Sequence, residues 1–114
     1  MPVTSATFRR LALSLPEATE GSHMGHPDFR VRNKIFASLG VPDNGWGSLK
    51  LTPEQQAVLL AAEPAVFKPA AGAWGRRGST LVSLAAVDAA TLGSALGMAW
   101  RNTAPKALIA QSAD

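Results

Sequence analysis

Two histidines, His23 and His26, stand in a short stretch that also holds Glu20 and Asp28. Imidazole and carboxylate at that spacing offer two chemistries, zinc ligation and general-base catalysis. A structural zinc site takes four ligands and a catalytic one three plus water. The chain has no third histidine and no cysteine. A histidine–carboxylate pair works as a base beside a nucleophile or an oxyanion arrangement, and neither accompanies it here. The two histidines are therefore expected to be structural, bonding loop backbone around a turn. No metal, no cofactor and no enzymatic activity is expected.

A second constellation is basic. Arg30, Arg32 and Lys50 alternate with apolar residues on predicted strands, Lys34 lies at a predicted hairpin tip, and Arg76 and Arg77 sit in the glycine-rich stretch Gly72–Gly78. Gathered on one sheet face, such cations suit phosphates, and a β-ribbon fits the DNA major groove. Trp46, Trp74 and Phe36 are interleaved with them and offer stacking platforms for bases. The opposing account is a solvated or self-paired face in which Glu17, Glu20 and Asp28 neutralise the arginines. Gly72–Gly78 lacks the Lys-Ser/Thr pair of a phosphate-binding P-loop and its strand-to-helix setting, so a tight hairpin connection is expected there.

These residues need elements to position them. Phe29 and Val31 alternate with Arg30 and Arg32, and Asn33-Lys34 then turns the chain into Ile35–Leu39, the pattern of a β-hairpin. Before it, Phe8, Leu11, Ala12 and Leu15 mark one helix face, capped by Thr4 or Ser5 and stopped by Pro16. Residues 17–27 read as a loop. After the hairpin, Ser48–Leu51 alternates again, and Thr52-Pro53-Glu54-Gln55 forms a complete helix start with a capping box. Ala65–Lys68 predicts a strand that Pro69 confines to an edge. Thr80–Leu84 resumes the sheet. Asp88 caps a last helix with Val87 and Leu92 as a hydrophobic staple, and Leu92, Leu96, Ala99 and Trp100 form its buried stripe. Gly93 and Gly97 share another face, where a close neighbour is expected. Pro105 ends the helical region.

The order is helix, three or four strands, helix, two strands, helix, without a βαβ rhythm. A mainly antiparallel sheet with helices packed on one face satisfies it, an α+β two-layer architecture. The 114 residues suit one domain, residues 1–114. Hydrophobic residues make up 46% and charged residues 17%, a globular balance with no disordered block. The net charge of +3 permits phosphate binding without demanding it. No apolar run approaches the ~20 residues of a membrane span, and the arginines within Met1–Leu15 do not suit a signal peptide. A cytoplasmic location follows as the expectation.

The strings G-S-H-M-G-H-P-D-F-R-V-R-N-K-I-F-A, S-L-K-L-T-P-E-Q-Q, W-G-R-R-G and A-W-R-N-T-A-P-K, in this order, resemble the MmcQ/YjbR family over about residues 5–108. Matching positions are His26, Phe29, Lys34, Phe36, Leu49, Lys50, Trp74, Gly75, Gly78, Arg101 and Lys106. Asn33 stands where a glycine is common, and Ser79-Thr80 where many relatives carry an aromatic. The resemblance implies an α+β fold with a strongly curved sheet, described as a double wing and proposed to bind DNA. On that basis Arg30, Arg32 and Lys34 are expected to hold phosphates. Lys50, Arg76, Arg77 and Arg101 would support them, and Trp74 would wedge or stack. The alternatives are an acidic protein or peptide partner, a homodimer meeting through the same face, and a small ligand under the Trp74 loop.

Overall fold

The computed structural model describes residues 3–112, so Met1, Pro2, Ala113 and Asp114, the ends of the expected domain, lie outside the described residues. Thr4 caps the first helix, α1 (Ser5–Leu13), by accepting the Thr7 N–H at 3.1 Å. Four antiparallel strands follow: β1 (Ala18–His23), β2 (His26–Val31), β3 (Lys34–Leu39) and β4 (Trp46–Lys50). The Thr52 capping box then opens α2 (Pro53–Ala62), with Pro53 in its first turn. β5 (Phe67–Pro69), the short α3 (Gly72–Arg76) and β6 (Ser79–Ser83) come next, and Asp88 caps α4 (Ala89–Thr103). A short α5 (Lys106–Ser112) closes the described chain.

The strands make one curved antiparallel sheet in the order β1-β2-β3-β4-β6-β5. β6 enters between β4 and β5, so β5, with Pro69, lies at the edge, where a residue without an N–H costs no ladder bond. The register defines the faces. Phe29, Ala37, Leu49 and Thr80 align across four strands and all are buried; so are Leu39, Gly47, Val82 and Phe67 in the next row. Against this face pack α1 and α4. Phe8 meets Phe29 with ring centroids 5.7 Å apart, and Leu92, Leu96 and Trp100 are buried from α4. The Trp100 indole N–H donates to the Pro16 carbonyl at 2.9 Å, tying α4 to the end of the first helical segment.

Several local expectations are revised. Residues 18–23 are a strand and not a loop. Their polar composition shows no apolar alternation because β1 is an edge strand with little buried surface. The β2–β3 turn is Arg32-Asn33, one residue earlier than Asn33-Lys34. Both residues take positive φ (51° and 67°), as a two-residue turn matched to strand twist requires. Gly72–Gly78 folds into α3 and is not a bare hairpin connection. Gly93 and Gly97 face open space: a Cβ at either position would meet no neighbouring atom within 4 Å, so no other element approaches them closely. Pro105 is followed by α5 and does not end the helical region.

Candidate functional site

The opposite face of the sheet carries the chemistry. Gly21, Asp28, Ser38, Ser48, Leu81 and Lys68 align across all six strands on this side. At the β1–β2 end lies a closed ionic cluster. Asp28 is fully buried, and its Oδ1 accepts from Arg30 Nε at 2.7 Å. Its Oδ2 accepts from Arg30 Nη2 at 3.0 Å and lies 2.8 Å from His23 Nδ1. Gly21 makes this possible: a Cβ there would lie 3.0 Å from Asp28 Oδ1 and 3.1 Å from Arg30 Nε. The Arg30 hydrogen bond holds the Asp28 carboxyl below its ordinary range against the opposing effect of burial, with His23 adding to it. Arg30 is held above its usual value in return.

From β3 to β5 the same face opens into a cavity of about 720 Å³. Its apolar surface comes from Ile35, Val41, Pro42, Leu81 and Trp74, and its hydroxyls from Ser38, Ser48 and Ser79. Among the described residues, His23, Lys50 and Lys68 are its titratable residues, and no aspartate or glutamate lines it. Lys68 lies over Trp46, its Nζ 4.4 Å from the ring centroid. Asn102 of α4 donates to the Lys50 carbonyl at 3.0 Å and to Gln55 Oε1 at 2.7 Å, anchoring the backbone that carries Lys50.

Trp74 forms one wall and is 65% exposed, unusual for a side chain of that size. Its position follows from close packing beneath it. A Cβ on Gly75 would lie 1.9 Å from the Ala70 carbonyl oxygen, so α3 sits directly on the preceding chain with its indole turned outward. Gln56 of α2 secures the other end, its amide donating to Gly75 O and Ser79 O, each at 3.0 Å. Behind Trp74 a smaller hollow of about 310 Å³ is lined by Lys50, Trp74, Arg77, Ser79 and Asn102, among others. The Arg77 guanidinium lies 5.8 Å from the Trp74 ring centroid.

A family model described as YjbR matches residues 13–102, most of the chain. The chain belongs to the YjbR family. The fold is also that of the Deinococcus radiodurans protein DR2400, assigned to the family domain DUF419 and known from a crystal structure. The similarity covers 86% of this chain and 76% of that one, with a TM-score of 0.72 and 23% sequence identity. No curated protein matches the chain.

The YjbR fold divides the basic residues expected from sequence into three groups. Arg30 is bound to Asp28, and Arg32, drawn into the turn, pairs with Glu17 through Nη2–Oε2 at 3.0 Å. Both arginines are thus neutralised by partners within the chain, Asp28 and Glu17, two of the three acids named in the self-paired account; the third, Glu20, pairs with Arg9. Lys50, Trp74 and Arg77 are brought together around the two hollows. Lys34, Arg76 and Arg101 are exposed and line neither hollow. His23 bonds a carboxylate and not loop backbone. Its ring centroid is 6.4 Å from that of His26, but among the described residues no group of three or more metal-binding side chains exists.

Lys68 is the site residue that sequence reasoning passed over. It follows the buried Phe67 on an edge strand, so the period of two placed it on the open face. The pairing that brings it beside Leu81, and so into the cavity, has no local signal.

Proposed function

We propose that this YjbR protein is a non-enzymatic, cytoplasmic binding protein that seats a small organic anion with an apolar body in the cavity on its open sheet face. The observation that carries this is the composition of the cavity wall. An apolar floor is flanked by Lys50 and Lys68, with no acid lining it and no acid within 4 Å of either lysine among the described residues. A volume of about 720 Å³ falls in the range of small-molecule sites, roughly 300–1,000 Å³. A charge-assisted hydrogen bond contributes about 1.5–3 kcal/mol, or roughly 10–100-fold in affinity. Calorimetric titration with a panel of aryl and acyl carboxylates should therefore find binders that weaken about tenfold or more in Lys50→Ala and in Lys68→Ala. Retention of full affinity in the double variant would overturn the proposal.

A second ligand class, DNA, is favoured by one specific observation. Trp74 is exposed beside Lys50 and Arg77, cations without an acid partner among the described residues. A stacking ring flanked by free cations is the arrangement used for unpaired strands. The β2–β3 ribbon suits a duplex less well, since Arg30 and Arg32 already hold Asp28 and Glu17. Binding of oligothymidylate should weaken with salt, and the log–log slope should shrink by about 0.7 for each phosphate contact removed in Lys50→Ala or Arg77→Ala. An equal loss of slope in Arg32→Ala would refute that assignment.

A further inference from the structure

Resting on the small-anion reading of the cavity, we infer that the two hollows on either side of Trp74 form one bipartite site for a phosphate monoester with a flat apolar body. The hollows share Lys50, Trp74 and Ser79, so Trp74 is a partition between them. Their chemistry differs. The larger one has the apolar floor, whereas the smaller one, about 310 Å³, is bordered by two cations, Lys50 and Arg77, and by no acid among the described residues. Its neutral polar residues are largely committed elsewhere. Asn102 donates to Lys50 O and Gln55 Oε1, and the Thr103 hydroxyl donates to Ala99 O. The ammonium of Lys50, the guanidinium of Arg77 and the Ser79 hydroxyl are what remains for a ligand.

Two cations beside one small hollow suit a dianion better than a carboxylate. A phosphate monoester carries about −1.5 to −2 charges near neutral pH, with three acceptor oxygens. The planar fork of Arg77 matches phosphate geometry, and Lys50 acts as a point charge. The flat body of the ligand then lies across Trp74 into the larger cavity, where stacking and apolar contact hold it. Free phosphate esters and the phosphorylated 5′ end of a single strand present the same chemistry.

The test is titration calorimetry on the full chain with 1-naphthyl phosphate, 1-naphthol, 1-naphthoate and inorganic phosphate. The wild type should bind 1-naphthyl phosphate at least about tenfold more tightly than 1-naphthol. Arg77→Ala should shrink that margin severalfold, leaving what Lys50 and Ser79 supply, with 1-naphthol affinity unchanged; Arg77→Lys should restore part of it. Arg101→Ala, whose side chain lines neither hollow, should behave as wild type. Arg77 lends α3 its backbone N–H, which Ala retains, and an unchanged Tm verifies the fold. A margin undiminished in Arg77→Ala overturns the inference. If 1-naphthoate binds through Lys50 and Lys68 but phosphate confers no margin, the bipartite site falls while the small-anion reading stands. If no naphthyl anion binds, both fall. Oligothymidylate with and without a 5′-phosphate separates the two sources: a 5′-phosphate preference lost in Arg77→Ala points to the strand end, and its absence alongside a naphthyl phosphate margin points to a free ester.

Discussion

Replacing Asp28 by Asn tests the ionic cluster that neutralises Arg30. The carboxylate is fully buried and lies within hydrogen-bond distance of three nitrogens, Arg30 Nε, Arg30 Nη2 and His23 Nδ1, one at Oδ1 and two at Oδ2. Asn keeps the shape but has one oxygen. In either amide orientation an NH₂ group confronts an Arg30 N–H, and the guanidinium loses its counter-charge. Breaking a fully buried pair costs about 3–5 kcal/mol. The Arg30 side chain is 32% exposed and recovers part of its hydration, so a loss of about 2 kcal/mol is expected, or roughly 8 °C in Tm for a chain of this size. The pH dependence has a definite sign. The folded pKa of Asp28 is depressed, so its contribution is complete above the unfolded carboxyl value of about 4 and disappears as pH falls through the folded value. Glu17 and Asp88 are depressed too, through Arg32 and the α4 N-terminus respectively. The difference between wild type and variant cancels those two contributions. Urea unfolding of both proteins at several pH values should show a gap at neutral pH that narrows below about pH 4. A gap independent of pH, or none at neutral pH, would refute this account of the cluster.

Three further outcomes concern the support of Trp74. Gln56→Glu sets a carboxylate against Gly75 O, Ser79 O and Thr80 Oγ1, the acceptors now served by one amide; a loss of about 2–3 kcal/mol in denaturant unfolding is expected, with Gln56→Met losing less. Gly75→Ala drives a methyl to within 1.9 Å of a backbone oxygen, so it should lose about 3 kcal/mol or more and shift the Trp74 emission. Trp74→Ala should change stability by less than about 0.5 kcal/mol, because the ring is mostly exposed. It should also abolish the fluorescence response to any bound aromatic anion. A large Tm loss in that last variant would mean that Trp74 is a packing residue and not part of a ligand site.

Much of the fold was legible because local chemistry and global pattern agree. Thr52-Pro53-Glu54-Gln55 reads as a helix start and is one, Asp88 caps α4, Pro69 sits on an edge strand, and Phe29, Val31 and Leu49 point into the core as alternation demands. What escaped lacked a periodic signal. β1 is polar on both faces and is held by pairing with β2 along its whole length, information that lies in its partner. α3 has five residues, two of them glycine, and is stabilised by Gln56 from across the chain. Neither could be recognised from its own residues, since propensity is a weak prior where tertiary contacts decide.

The placement of the candidate site turned on two details of the same hairpin. Setting the turn at Arg32-Asn33, one residue earlier than the composition suggested, takes Arg32 off the strand face and sends its guanidinium to Glu17, in the turn just before β1. Asp28, two residues before Arg30 on the same strand, shares its face and captures it beneath the edge that Gly21 leaves open. The arginines that looked best suited to reading a duplex are therefore the ones with internal partners. Among the described residues, charge without an acid partner on the open face is concentrated instead at Lys50, Lys68 and Arg77, around a cavity whose walls come from β3, β4, β5, β6 and α3. Counting cations along the chain does not separate these two sets. For Arg30 the partner is an acid two residues away on the same strand face, Asp28, and no acid stands in that relation to Lys50 or Lys68; for Arg32 it is Glu17, fifteen residues earlier, which only the β1–β2 pairing brings beside it.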